Sequence, residues 1–488
     1  MSFIPTLSPL TVVVIPFVGA LAIALAHQHP KLRDGLGWLA SIAFFIAVAG
    51  HIGPTLSGQG ATQTLSELLP GVSIAFAVEP LGLLFALIGA SLWLVATLYA
   101  QSYMKSLNYP HLARFFACYA IALGAAAGIA FSENLLTLFI FYEILTLSTY
   151  PLVTHSGSEE ARRGGRIYLF YLLASSIGLL LPAIIWVYAA TGTLDFQSGG
   201  ILGDHIAPHW IPVLVGLFAF GIGKAALMPM HKWLPAAMVA PAPVSALLHA
   251  VAVVKAGVFT ILKVAIFVFG IDVLLATGAG VWVAWVAAFT IVSASLVALR
   301  LDDLKARLAY STVAQLSYVI VGAMIATPLA AIGAVMQLAM HAVAKITLFF
   351  SAGAIQVASG RKKIKEFDGL GRVMPYTFTF MTIGILSIIG LPLFGGMWAK
   401  WYLLMGSLSA EQWIVAGALM LSSLLNILYL LIIPIRGFFA PAADGVPTEG
   451  LHEAPMAQRV AMGITATACV VLFFFPEPLF ELAKGLVS

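Results

Sequence analysis

Fourteen apolar stretches dominate the sequence, near 8–27, 36–54, 76–100, 114–131, 134–153, 166–190, 210–228, 240–268, 278–299, 308–326, 329–358, 375–406, 412–438 and 458–477. A helix needs about 20 apolar residues to cross a bilayer, so a chain built this way has little choice of solvent. Only 9% of its 488 residues are charged and 61% are hydrophobic, whereas a soluble domain carries about 25% charged residues. The expected fold class is all-α integral membrane, with about 14 transmembrane helices and almost no mass outside the bilayer. The first stretch lacks a basic flank and a small-residue cleavage site, so it reads as a span and not as a removed signal. The net charge of +4 does not suggest nucleic acid, because the basic residues sit in short loops.

Those loops set an orientation. The odd-numbered loops carry Lys31, Arg33, Lys105, Arg114, Arg162, Arg163, Arg166, Lys232, Arg300, Lys305, Arg307, Arg361, Lys362, Lys363, Lys365, Arg372, Arg436 and Arg459, and the even-numbered ones carry no Lys or Arg. The loops at 51–75 and 191–209 are polar and on the even side. By the positive-inside rule the odd loops are cytoplasmic and both termini face outward, with Lys484 the one basic residue outside. This predicts a multi-pass protein of a bacterial-type inner membrane.

Against this background the stretch Gly221 to Phe259 stands out. It is apolar, yet holds Lys224, His231, Lys232, His249 and Lys255 with Pro229, Pro235, Pro241 and Pro243. A lysine at bilayer depth costs ~2.5–3.5 kcal/mol on insertion scales, and proline removes a helix N–H and clashes one turn back. Irregular backbone at that depth is tolerated only inside protein or beside water, and interrupted helices with buried charge mark ion paths. Span 12 repeats the pattern in GLPLFGGMWAK, with Pro392 and Lys400. The two interrupted spans are five apart, and an odd offset reverses direction across the membrane. Spans 4–8 and 9–13 are thus candidate inverted repeats.

Further charges lie within spans. Lys263 sits near an outer end, where it could snorkel. Glu79 stands at the start of span 3, and Glu143 is internal with no basic neighbour on its own helix. A buried carboxylate needs a partner or takes up a proton, which implies a Glu–Lys pair across helices. Lys224 and His231, seven apart, would share a face ~10 Å apart on a continuous helix. His341 and Lys345, four apart, share one on span 11. A neutral alternative stands beside each. Lys232 reads as interfacial, His249 as a packing histidine bonded to a carbonyl as readily as a functional one, and His231 as a helix cap. The lysines and Glu143 could be ion pairs that only lock helices together. Cys118 and Cys469 have no metal-ligand spacing and make no case for a disulfide. No phosphate loop, haem motif or nucleophile triad is present, so no cofactor and no metal are expected.

The run GKAALMPMHKWLPAAMVAPAPVSALLHAVAVVKAG closely resembles the signature of the antiporter-like subunits of respiratory complex I and of Mrp-type Na⁺/H⁺ antiporters. So do ENLLTLFIFYEILTLSTY, LDDLKARLAYSTVAQLSY, HAVAKITLFFSAG and GLPLFGGMWAK. The likeness covers about residues 75–440 and is nearest to the D-type subunits of Mrp antiporters. It implies fourteen helices with two inverted five-helix repeats (helices 4–8 and 9–13), discontinuous helices 7 and 12, and a hydrated polar axis that carries protons. The implied division is 1–113 for helices 1–3, 114–268 and 278–438 for the repeats, and 439–488 for helix 14. It also implies roles. Glu143 is the helix-5 glutamate paired with Lys224, and His231 is the histidine that follows. Lys255 is the central helix-8 lysine, His341 and Lys345 are the helix-11 pair, and Lys400 hands protons toward a neighbouring subunit. Two positions depart from the family pattern: Ile167 stands where a lysine often precedes the tyrosine of helix 6, and Glu79 where aspartate is usual. The short tail after span 14, without a long lateral helix, is unlike the largest members.

The expected function is a proton-translocating subunit of a multi-subunit Na⁺/H⁺ (monovalent cation) antiporter. Its partners would be other hydrophobic subunits, the lipid bilayer, protons and Na⁺, with no nucleic acid. No sodium site is visible in the sequence. One alternative is a proton-pumping membrane subunit of a complex I-like or hydrogenase redox complex, a translocase whose redox centres lie on other chains. Another is the membrane subunit of a proton-driven inorganic-carbon uptake system with a soluble zinc partner, and a third is a purely structural subunit.

Overall fold

The computed structural model describes residues 6–443, 445, 446 and 450–486. Each of the expected apolar stretches coincides with helix. In chain order these are α1 (Pro9–Leu25) and α2 (Pro30–Leu56), then, after two short strands, α3 (Pro80–Ser106), α4 (Leu112–Ala130), α5 (Leu135–Val153) and α6 (Glu159–Thr191). Next come α7 (Pro208–Gly221), α8 (Ala242–Phe269), α9 (Val281–Arg300), α10 (Leu304–Ile325), α11 (Pro328–Ser359) and α12 (Pro375–Ile389). The last are α13 (Gly396–Ser409), α14 (Trp413–Phe439) and α15 (Met456–Phe474). Among the described residues 11 helices are long and apolar enough to cross a membrane on their own, and α1, α7 and α12 are shorter apolar helices.

Local chemistry starts several of these helices. Asn134 accepts from the Thr137 amide at 2.8 Å, Ser158 from Ala161 at 3.1 Å and Asp303 from Ala306 at 2.8 Å. Each satisfies an amide that the helix itself leaves unpaired.

The helices are sorted by depth. The most apolar window of α8 is 100% buried, that of α10 94% and that of α11 89%, whereas that of α15 is 33% buried. The peripheral helices turn Val18, Leu21, Leu39, Trp413, Ile414 and Phe439 outward. Thus the outside is apolar, as lipid or a hydrophobic neighbour requires, and polar side chains collect between α5, α8, α10 and α11.

In place of the polar loop expected at 51–75, α2 runs on to Leu56 and a hairpin follows. Strands β1 (Thr62–Leu69) and β2 (Val72–Ala77) pair antiparallel, with Leu69 opposite Val72 across Pro70 and Gly71. Gly71 has φ +73°, which a turn accepts most readily from glycine. Asn134 Nδ2 donates to the Ser73 carbonyl at 2.8 Å, and the Ala75 amide to Thr137 Oγ1 at 3.0 Å, which fastens the hairpin to the start of α5.

The interruptions fall where the prolines and glycines placed them. Helix α7 stops at Gly221, a single turn follows at Gly223–Ala225, Ala226 is left-handed at φ +55°, and helix resumes only at Trp233–Ala236. Helix α12 stops at Ile389 with Gly390 at φ +86°, and α13 begins at Gly396. Widened turns occur within α6 at Ser176–Leu180, within α8 at Leu247–Val251 and Ala265–Phe269, and within α14 at Ile427–Leu431. The two full breaks, in spans 7 and 12, are five spans apart.

Candidate functional site

A break in a buried helix leaves carbonyls without N–H partners, and the last turn carries partial negative charge. A lysine placed there finds acceptors without needing a carboxylate. Lys400 shows this directly: its amine donates to the carbonyl of Ile389, the last residue of α12, at 3.0 Å, and to Ser423 Oγ of α14 at 3.1 Å. It also stands 5.0 Å from the Tyr318 ring centre. Beside it opens a cavity of about 440 Å³ whose lining includes Tyr318, Pro392, Trp401, Leu404 and Met420.

Lys224 follows the end of α7 and is fully buried. Its amine donates to the Tyr142 carbonyl at 2.8 Å and to Thr146 Oγ1 at 2.6 Å, both on α5, and lies 3.1 Å from the centre of the Tyr142 ring. Its own amide donates to the Tyr142 hydroxyl at 3.1 Å. Helix α8 presses against this break at Gly257, where a β-carbon would come within 2.3 Å of the Ala225 nitrogen. The same close packing carries Lys255, two residues earlier, into the interior. The Lys255 amine meets His341 Nδ1 of α11 at 2.9 Å, and His341 Nε2 is buried without a hydrogen-bond partner. One turn along α11, Lys345 donates to the Leu308 carbonyl at 3.2 Å and to Ser311 Oγ at 2.7 Å, both on α10.

Among the described residues, none of Lys224, Lys255, Lys345 and Lys400 has a carboxylate oxygen within 4.0 Å. The expected direct Glu143–Lys224 contact is therefore absent. Tyr142 and Thr146 are four apart and share the stripe of α5 that faces Lys224. Glu143, one residue on, points about 100° away around the helix. Both its oxygens are shielded from solvent and unpartnered.

The other candidate residues have settings of their own. Lys224 and His231 do not share a helical face, since the backbone between them is broken. His231 Nδ1 has no partner, and the ring lies edge-on to Tyr310 at 6.0 Å. His249 bonds no carbonyl: both nitrogens are unpartnered and the ring packs on Phe349 at 4.6 Å. His341 and Lys345 share α11 but face different partners. Lys232 and Arg166 are exposed, and Ile167 is partly so.

Lys263 does not snorkel. It is buried, 3.3 Å from Glu79 Oε1, and donates to the Ser132 carbonyl at 2.6 Å, just past the end of α4. Glu79 in turn accepts the first amides of α3, Leu81 at 2.7 Å and Gly82 at 2.9 Å. This bridge joins residues 184 positions apart by their numbering, and nothing local in the sequence announces it. The hydroxyl partners Thr146, Ser311 and Ser423 are equally silent in the sequence.

Comparison with known proteins agrees with this architecture. The N subunit of the NADH-quinone oxidoreductase of Desulforudis audaxviator is 29% identical over 97% of this chain and 97% of its own length. The A-type subunit of the Na⁺/H⁺ antiporter of Bacillus subtilis is 31% identical over 95% of this chain, which spans 60% of that longer protein. The fold matches a chain of the membrane-bound sulfane sulfur reductase, an archaeal respiratory membrane complex, with a TM-score of 0.85 at 23% identity, covering 98% of this chain and 96% of the other. Residues 132–426, which hold every one of these lysines, match the family described as NADH:quinone oxidoreductase/Mrp antiporter, TM, and the chain belongs to that family.

Proposed function

We propose that this chain is the proton-translocating subunit of a multi-subunit monovalent cation/H⁺ antiporter, with its basic loops on the cytoplasmic side and both termini outside. The observation that carries the proposal is a set of four lysines held by neutral groups: Lys224, Lys255 and Lys345, which are buried, and Lys400, partly buried beside its cavity, with Lys224 and Lys400 at helix breaks. A lysine held by carbonyls, hydroxyls or an imidazole can lose its proton and leave no unpaired carboxylate behind; a lysine locked to a carboxylate cannot. Protons pass along Lys224, Lys255 with His341, Lys345 and Lys400. Glu143 biases Lys224 through space, and His231 lies between Lys224 and the cytoplasmic turn. Residues 114–268 and 278–438 act as the two inverted halves, and Lys400, beside its cavity, faces a hydrophobic neighbour subunit. The second reading is a proton-pumping subunit of a redox complex, favoured by the full-length match to an NADH-quinone oxidoreductase subunit.

Gentle purification of the tagged chain, with its companions identified, separates the two. Small hydrophobic subunits, with NaCl or KCl collapsing a pH gradient in vesicles, support the antiporter. Iron–sulfur companions, with no cation-dependent collapse, overturn it in favour of the redox pump.

A further inference from the structure

Helix α6 opens with arginines and continues with an uncovered apolar stripe. Arg162, Arg163 and Arg166 stand on its first two turns and are exposed. Among the described residues, none of the three has a carboxylate oxygen within 4.0 Å. Glu159 and Glu160 occupy the very start of the helix, farther from the bilayer core. Positions 162, 166, 169, 170, 173, 174 and 177 recur at helical spacing and so share one face. On it Leu169, Phe170, Leu173, Ala174 and Ile177 line an open groove of about 600 Å³, with Arg166 at one end and Gly178 at the other. From Arg166 to Gly178 is ~18 Å of helix, about the depth of one leaflet, which is half of a ~30 Å hydrocarbon core.

Gly178 keeps the groove open. A β-carbon there would meet nothing within 4 Å. Packing inside the protein therefore does not ask for glycine, which weakens a helix interior relative to alanine. Behind the groove lies the break that carries Lys224. The widened turn Ser176–Leu180 belongs to both places. Its outward residues Ile177 and Gly178 border the groove, while Leu180 and the preceding Ser175 press on the end of α7. A β-carbon on Gly221 would lie 2.5 Å from the Leu180 nitrogen, and one on Gly223 would strike Ser175 Oγ.

We propose that this groove binds one anionic phospholipid of the leaflet on the basic-loop side. The phosphate meets Arg162, Arg163 and Arg166, and an acyl chain lies along the stripe to Gly178. The filled groove braces the widened turn against the Lys224 break. Charge selects this occupant. Basic residues clustered at the end of a span attract anionic headgroups, and a guanidinium pairs with phosphate through two parallel hydrogen bonds. A companion helix in the groove would have to bury the arginines or match them with carboxylates. A phospholipid brings its charge to the depth at which they stand and its apolar chain to the stripe below. Only the brace rests on the proton-translocating reading above; the site does not.

The test uses the whole complex in vesicles containing phosphatidylglycerol or phosphatidylcholine with a photoreactive group on the acyl chain. Phosphatidylglycerol is expected to label residues 167–178 about tenfold more than phosphatidylcholine, as a cluster of basic residues requires. The double variant Arg163→Gln, Arg166→Gln is expected to lose that preference. Gly178→Phe, which fills the open end and leaves the arginines in place, is expected to lower labelling by a similar factor. Equal labelling by the two lipids, labelling unchanged in either variant, or a companion subunit crosslinked over the stripe in place of lipid overturns the site. Should Gly178→Phe fail to assemble, the arginine variant decides alone. Proton flux on addition of NaCl or KCl, read in vesicles of the same lipids, tests the brace. It is expected to be several-fold higher with phosphatidylglycerol than with phosphatidylcholine alone, and equal in the two for the arginine variant. If flux ignores the lipid while labelling holds, only the brace falls. If no flux appears in either lipid, the proton-translocating reading falls and the brace with it, and labelling still decides the site.

Discussion

Lys224 and Lys263 are both buried lysines, and the protein treats them differently. Lys263 sits near one end of α8, locked to Glu79, which also caps α3. Lys224 sits in a helix break, held by the Tyr142 carbonyl and Thr146 hydroxyl. The first arrangement fixes a charge: deprotonating Lys263 would strand the carboxylate of Glu79. The second lets the charge come and go, because a carbonyl and a hydroxyl are satisfied beside an ammonium and tolerable beside an amine. The difference teaches where to look for transport in such a chain. On the proposed mechanism, buried charge alone does not identify the path; buried charge with neutral partners does. Lys345 and Lys400 repeat the Lys224 arrangement with one carbonyl and one serine each.

The strongest way to break the comparison is at the neutral-partner lysines. Lys345→Ala is expected to lower proton flux in vesicles by about a hundredfold or more, with the complex assembled; unchanged flux would put Lys345 in the same class as Lys263. Next is the locked pair. Glu79→Gln leaves Lys263 buried with only carbonyl partners and is expected to cost about 3 kcal/mol, the low end for breaking a buried ion pair, seen as a lower melting point. The surviving complex should transport at nearly the full rate. A transport loss without a stability loss would show that Lys263 also belongs to the path.

A smaller effect is expected from Gly257→Ala, which pushes α8 off the break beside Lys224. Overpacking of this kind costs about 1–3 kcal/mol, and here flux should fall along with stability. Glu143→Gln keeps shape and removes charge. It is expected to shift the pH dependence of flux several-fold without loss of assembly, since no hydrogen bond depends on the carboxylate; identical pH profiles would remove Glu143 from the account.

The smallest effect lies outside the membrane, at His155 after α5. Burial lowers its pKa to about 4, and Arg114 adds to this. A histidine buried neutral binds fewer protons folded than unfolded, so its contribution to stability is intact above about pH 6.5, the ordinary value, and is lost as pH falls toward 4. Stability of His155→Phe measured between those values should decline less steeply than that of the natural protein.

Much of the fold could be read because its signals are local. An apolar run of twenty residues needs no partner to be recognised, and Pro229, Pro241, Gly390 and Pro392 announce their own breaks. The lysines too were visible, since charge in an apolar run is conspicuous. Their partners were not. Thr146, Ser311 and Ser423 are ordinary residues until helices far apart in sequence come together, and the Lys263–Glu79 bridge depends on the same long-range meeting. Glu143 shows the converse. Its charge pointed to a pair with Lys224, but the pitch of α5 gives that position to Tyr142 and Thr146. The β1–β2 hairpin hid in a polar loop because its outer strand is nearly all exposed and carries little apolar alternation.

The central claim is tested most directly by comparing Lys224→Ala with Lys263→Met, both in the native complex reconstituted into vesicles, following collapse of an imposed pH gradient on addition of NaCl or KCl. Lys224→Ala is predicted to assemble and be inactive, while Lys263→Met assembles poorly but what assembles is active. Normal gradient collapse with Lys224→Ala, or equal inactivity in fully assembled forms of both, would contradict that claim.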